Sequence, residues 1–148
     1  MAVDPSVIDQ NNRERTRLQA MVARLSDADL ARPLPAGWTV AGVLGHVAFW
    51  DQRILVLLEA WERTGVAPTS AREQDTDWIN DAGKPLLVAL PPRRAAELAV
   101  SIAEGVDRKI ETISDDFAKR IEAAGNPISL RRSEHRREHP DEIEDVVR

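Results

Sequence analysis

Apolar residues along this chain recur at three- and four-residue steps in long stretches, and nowhere do they alternate cleanly with polar ones between hairpin turns. That periodicity is helical and leaves no strand signal. From Pro5 to Leu25, Ile8, Leu18, Val22 and Leu25 keep the helical period with charged residues between them, which predicts a first long amphipathic helix. Ser26-Asp27-Ala28-Asp29 reads as a cap opening a short turn of helix, with an acidic side chain at its third position. Arg32 to Gly37 carries two prolines and a glycine and cannot be helix interior.

The most hydrophobic long segment follows, with Thr39 as its N-cap and Gly65 as its stop. Val43, His46, Val47, Trp50, Ile54, Leu57, Leu58 and Trp61 form one wide stripe along it. Gly42 and Gly45 each cost about 1 kcal/mol against alanine inside a helix, so their presence predicts close approach of another backbone or a ligand beside His46. From Val66 to Ala82 the chain turns polar and reads as a long loop or lid ending in Asp77-Trp78-Ile79-Asn80, with a short helical piece from there to Leu90.

Pro91-Pro92 opens a third long helix running to about Ile113, with Leu98, Ile102, Val106, Ile110 and Ile113 on its buried side. Gly125-Asn126-Pro127 is the next break. A last helix from about Ser129 carries Leu130, His135, His139, Ile143 and Val146 at helical spacing. Four long helices joined by short connections and one longer crossover predict an all-α fold, a four-helix bundle, as one domain over residues 1–148.

Composition narrows the functional classes. The chain has no cysteine, which rules out a disulfide framework, a thiolate zinc knot and a cysteine nucleophile, so a bound metal must be held by nitrogen or oxygen. A net charge of −5 disfavours a general nucleic-acid binder, which needs a basic surface. The N-terminal residues have no basic and apolar leader pattern, and no uninterrupted apolar run approaches the roughly 20 residues of a membrane span, so a cytoplasmic protein with no membrane partner is expected.

The candidate chemistry lies in the only three histidines, His46, His135 and His139. Residues four apart on a helix share a face, so His135 and His139 can hold one cation between them. A third imidazole brought in by another helix completes a three-nitrogen site with a position left open, the layout of a catalytic zinc site. A single histidine on an apolar face is more often a satisfied core residue. Three on inward faces that meet in a bundle favour a shared cation, because burying unpartnered imidazoles is costly. Trp50, one turn beyond His46, walls such a pocket or is plain core, and Asn80 contacts substrate or caps a helix. Asp51 and Glu138 lie near ligands in sequence but point elsewhere around their helices, and Arg131, Arg132, Arg136 and Arg137 pair with Glu134, Glu138 and Asp141 on a solvated face. Pro140 directly after His139 predicts a kink that tunes or spoils the site.

The segment LSDADLARPLPAGWTVAGVLGHVAFWDQRIL resembles the signature of the DinB/YfiT-like four-helix-bundle proteins, a superfamily that includes mycothiol-dependent maleylpyruvate isomerase, and EHRREHPDEI resembles its second signature, a His-x3-His helix. The resemblance implies a metal triad of His46, His135 and His139, holding zinc or nickel. It also implies a metalloenzyme acting on a small-molecule substrate, either as a hydrolase or as a transferase or isomerase that uses a low-molecular-weight thiol, whose carboxylates the arginines around His135 would bind if they do not pair on that solvated face. The alternative is a non-enzymatic binder or sequestering protein whose histidines are structural or vestigial. Symmetry statistics for helical bundles make a homodimer the expected assembly.

Overall fold

A computed structural model describes residues 3–70 and 72–147. Among these it contains seven helices and no strand: α1 (Pro5–Arg24), α2 (Asp27–Leu30), α3 (Val40–Thr64), α4 (Glu73–Ala89), α5 (Pro92–Glu111), α6 (Asp115–Ala123) and α7 (Ser133–Val147). Four of them build the expected bundle. α5 packs on α1 and α3, and α7 closes the ring by packing on the same two helices. Local chemistry sets several boundaries where the sequence placed them. Asp4 caps α1 through the Ser6 amide, and Ser26 and Asp29 form a reciprocal capping box at α2. Thr39 Oγ1 accepts from the Gly42 amide, and Gly65 ends α3 with a φ of 72°, in the left-handed region that a Cβ disfavours.

The core is layered. One apolar cluster joins Leu18, Met21, Leu44, Ala48, Ala99, Ala103 and Ile143; a second joins Ile8, Ile54, Leu58, Val106, Ile110 and Phe117. Between them, on the same four helices, lies a buried polar belt. Arg136 is 0% exposed and donates to Asp51 Oδ2 (3.0 Å) and to both oxygens of Asp107 (2.8 Å each). Arg132 donates to Asp51 Oδ1 at 2.8 Å, and Arg15 to Asp107 Oδ2 at 2.7 Å. Burial alone would lower the Arg136 guanidinium pKa, but the two carboxylates raise it overall.

Five points correct or extend the expectations from sequence. First, the lid read over 66–82 is helical from Glu73: Glu73 and Asp75 favour the helix N-terminus, and Arg72 pairs with Asp75 across the first turn. None of its residues is fully buried, so the apolar pattern that betrays other helices is weak here. Second, the inner face of α5 is made by Ala95, Ala96, Ala99 and Ala103, while Leu98 and Ile102 are only half-buried; small residues let α3 and α5 pack closely, a fit that apolar periodicity weighted by size overlooks. Third, Ser114 caps α6, a helix that none of the sequence patterns above marks.

Fourth, α7 begins at Ser133, with Leu130 outside it, because its cap comes from another helix: Asn11 Oδ1 on α1 accepts from the Arg132 and Ser133 amides at 2.8 and 3.0 Å. Fifth, α7 continues through Pro140, which is buried and forgoes the bond its amide would make to the Arg136 carbonyl. α3 is long and apolar enough to cross a membrane by length and composition, and 61% of its most apolar window is buried inside the bundle.

Candidate metal centre

Two helices supply the histidines. α3 presents His46 from its inward stripe, and α7 presents His135 and His139 one turn apart. The Nε2 atom of His135 lies 3.1 Å from Nε2 of His46 and 3.1 Å from Nε2 of His139, and one ligand atom from each ring falls within 4.8 Å of the others. His46 is buried and the other two are half-buried.

The His46 and His135 nitrogens are neutral in the fold. Burial, with the neighbouring His139, pushes His46 down to about 4. Burial pushes His135 down to about 2, helped by His139, His46, Arg132 and Arg136. Uncharged imidazoles at His46 and His135, with Nε2 atoms 3.1 Å apart, need a proton or a cation between their lone pairs. The donor set fits a divalent ion: nitrogens 3.1 Å apart match two ligands of one ion at metal–nitrogen bonds of about 2.0–2.1 Å. Glu142 Oε2 lies 3.3 Å from His139 Nδ1, which puts that ring proton on Nδ1 and leaves Nε2 as the lone-pair donor. His135 Nδ1 is buried without a hydrogen-bond partner.

The register of α7 is set by the polar belt. Arg132 and Arg136 flank His135 in sequence and reach across to Asp51, five residues after His46 on α3. The expectation of a solvated arginine face therefore fails for these two: both are buried, and their partners are Asp51 and Asp107. Asp141, expected to pair within α7, pairs with Arg17 of α1. Asp51 does face away from the histidines, as the helix geometry implied, but into the core as the anchor of α7. Glu138 departs from expectation and lines the cleft at the histidines.

That cleft has a volume of about 530 Å³ and brings the weaker candidates to the site. Trp50 and Asn80 both line it, and Trp50 Nε1–H donates to Asn80 Oδ1 at 2.8 Å, tying α3 to α4. Thr76, Ser129 and Arg131 add polar walls that no sequence motif marked. A second cleft, about 340 Å³, reaches His46 and His139 from the side of Trp38 and Lys84. Trp38 meets His46 edge-on at 5.6 Å between ring centroids, and Lys84 Nζ sits 5.7 Å from the Trp38 ring centroid. Gly42 and Gly45 are indeed points of close approach, though to side chains of α4 rather than to a backbone or ligand: a Cβ on Gly42 would lie 2.9 Å from Val88 Cγ1, and one on Gly45 would lie 3.3 Å from Leu87 Cδ2.

Comparison with known proteins agrees with the resemblance read from the sequence. The family model of the mycothiol maleylpyruvate isomerase N-terminal domain matches residues 12–132. The match includes His46, Trp50 and Asn80 and ends before His135 and His139. No curated protein and no solved structure matches the chain.

Proposed function

Because the chain belongs to the mycothiol maleylpyruvate isomerase N-terminal domain family, we propose that it is a metal-dependent enzyme in which His46, His135 and His139 hold one zinc or nickel ion and a small electrophilic substrate is attacked at that centre. The observation that carries the reading is the convergence of three histidine Nε2 atoms at the wall of an open, polar cleft. Bound there, a divalent ion supplies Lewis acidity, lowering the pKa of a water or thiol that occupies its open position. The family favours a low-molecular-weight thiol over water as the nucleophile.

The chain's own residues supply the rest. Depressed basicity keeps His46 and His135 deprotonated well below neutral pH, so they remain available as ligands. Glu142 orients His139. Trp50, held by Asn80, gives the cleft an apolar wall, while Arg131 and Ser129 offer donors to a polar substrate. A cytoplasmic setting belongs to the same proposal. So does a homodimer, for which α4 offers exposed apolar residues, with Trp78 60% and Leu86 72% exposed.

The test is metal analysis of protein purified without an affinity tag and reconstituted with zinc or nickel. About one ion per chain is expected, and none in His46→Ala. Absence of bound metal after reconstitution overturns the enzyme reading and leaves a non-enzymatic small-molecule binder. In a cobalt-substituted sample, a spectral change that saturates with added thiol assigns thiol chemistry, and an unchanged spectrum assigns hydrolysis.

A further inference from the structure

α4 is held to the bundle unevenly along its length. Its rear part is seated on α3: Val88 and Leu87 fill the hollows left by Gly42 and Gly45, and Leu90 packs on the first apolar cluster. Lys84 adds a hydrogen bond to the Ala36 carbonyl. Across 72–82, among the described residues, one hydrogen bond reaches the rest of the fold, from Trp50 Nε1–H to Asn80 Oδ1 at 2.8 Å. The other side-chain bonds there stay within the helix, from Arg72 and Trp78 to Asp75 and from the Thr76 hydroxyl to the Arg72 carbonyl. No residue of α4 is fully buried. Few buried contacts and a single tertiary hydrogen bond are the marks of a segment that opens locally.

Between the two parts stand Gly83 and Pro85. Pro85 has no amide to give the Asp81 carbonyl, so the hydrogen-bond ladder of the helix is interrupted there. Gly83 has room for a side chain, since a Cβ there would lie 3.7 Å from Leu87 Cδ1, an ordinary contact. No close approach therefore requires glycine at 83, as one does at 42 and 45. Gly105 of α5 is equally free, but only in α4 does such a glycine stand two residues from an interior proline. A glycine beside a broken ladder lets the backbone turn with little resistance.

We infer that residues 73–82 form a hinged lid over the histidine centre, turning about Gly83 and Pro85 and latched by the Trp50–Asn80 hydrogen bond. Thr76 and Asn80 are its inner wall. Asn80 also lines the second cleft, which reaches His46 and His139 from the Trp38 side. Swinging the lid outward removes the wall common to both clefts and joins them at the histidines. A ligand wider than either mouth then enters and is enclosed when the latch re-forms. The lid stands on the geometry of α4; that the ligand it admits is the substrate of a metal enzyme rests on the function proposed above.

The chain has no cysteine, so spin labels on introduced cysteines report the motion in full-length, metal-free protein. One pair joins the lid to α7, Gln74→Cys with Arg137→Cys, and a control pair replaces the first site by Ala89→Cys in the rear part; all three positions are exposed. Pulsed dipolar spectroscopy should give two distances for the lid pair and one for the control. Asn80→Ala, or Trp50→Phe as a second latch variant, should raise the ratio of open to closed about fivefold, as loss of one hydrogen bond implies. Gly83→Ala/Pro85→Ala should leave the closed distance alone. In unlabelled protein without a tag, the chain's three histidines are the only ones, so their modification by diethyl pyrocarbonate reads access to the site. Its rate should rise about fivefold in Asn80→Ala and fall roughly threefold in the hinge variant. A single lid distance unmoved by either latch variant overturns the lid. So does a second distance that survives Gly83→Ala/Pro85→Ala, as simple fraying of the helix start would produce. Histidine modification indifferent to latch and hinge overturns the gating role. None of these readouts needs a bound ion, so failure of the lid and failure of the metal centre are distinct results.

Discussion

Arg136→Met is the sharpest probe of how this bundle holds its site. The guanidinium is completely buried and makes three charge-assisted hydrogen bonds, to Asp51 and Asp107, plus a 3.3 Å bond to the Asn11 carbonyl. Removing one member of a buried ion pair costs about 3–5 kcal/mol, because the partner charges stay behind in a poor solvent. Here Asp51 keeps Arg132 and Asp107 keeps Arg15, so the lower end, about 3 kcal/mol, is expected. For a chain of this size that is a fall of roughly 6–12 °C in Tm. Urea unfolding of metal-free protein provides the assay, with the midpoint falling and the slope unchanged. Arg137→Met, one residue away but exposed, is the control and should stay within about 0.5 kcal/mol of wild type. A cost under about 1 kcal/mol for Arg136→Met, or equal costs for the two variants, would refute the polar belt as the lock on α7. If the lock holds, Arg136→Met also weakens metal binding, because the same bonds fix the register of His135.

Other consequences are checked more simply. Zinc at a hundredfold excess over its Kd should stabilise the wild-type chain by about 2.7 kcal/mol in a thermal melt and leave His46→Ala unmoved; equal stabilisation of both would place the ion elsewhere. His46 and His135 have folded-state pKa values below the ordinary 6.5, so the unfolded chain binds more protons beneath that pH. Stability of the metal-free protein present above about pH 6.5 should therefore be lost as pH falls toward 4, by up to about 1.4 kcal/mol per pH unit for each histidine. A urea midpoint that stays flat from pH 7 to 5 contradicts this. Two glycines should respond with opposite signs in the same unfolding assay. Gly65→Ala, at positive φ with nothing within 4 Å, should cost about 1 kcal/mol. Gly105→Ala, inside α5 with its nearest neighbour at 3.9 Å, should gain about 0.5–1 kcal/mol; matching signs would refute the conformational account.

By itself, the sequence determined the class of fold, the four bundle helices and the candidate ligands, because helical periodicity, capping residues and histidine spacing are local properties. Thr39, Gly65, Ser26 and Asp29 announce their boundaries within a few residues of chain. Where the deciding partner lay far away, local reading failed. The start of α7 depends on Asn11, more than a hundred residues earlier, and the burial of Arg132 and Arg136 depends on carboxylates carried by α3 and α5. In sequence those arginines look like any charged surface run. Only the tertiary structure could decide that Arg132 and Arg136 brace the core while Arg137 stays in solvent, because what separates buried from exposed guanidiniums is the position of their countercharges in space.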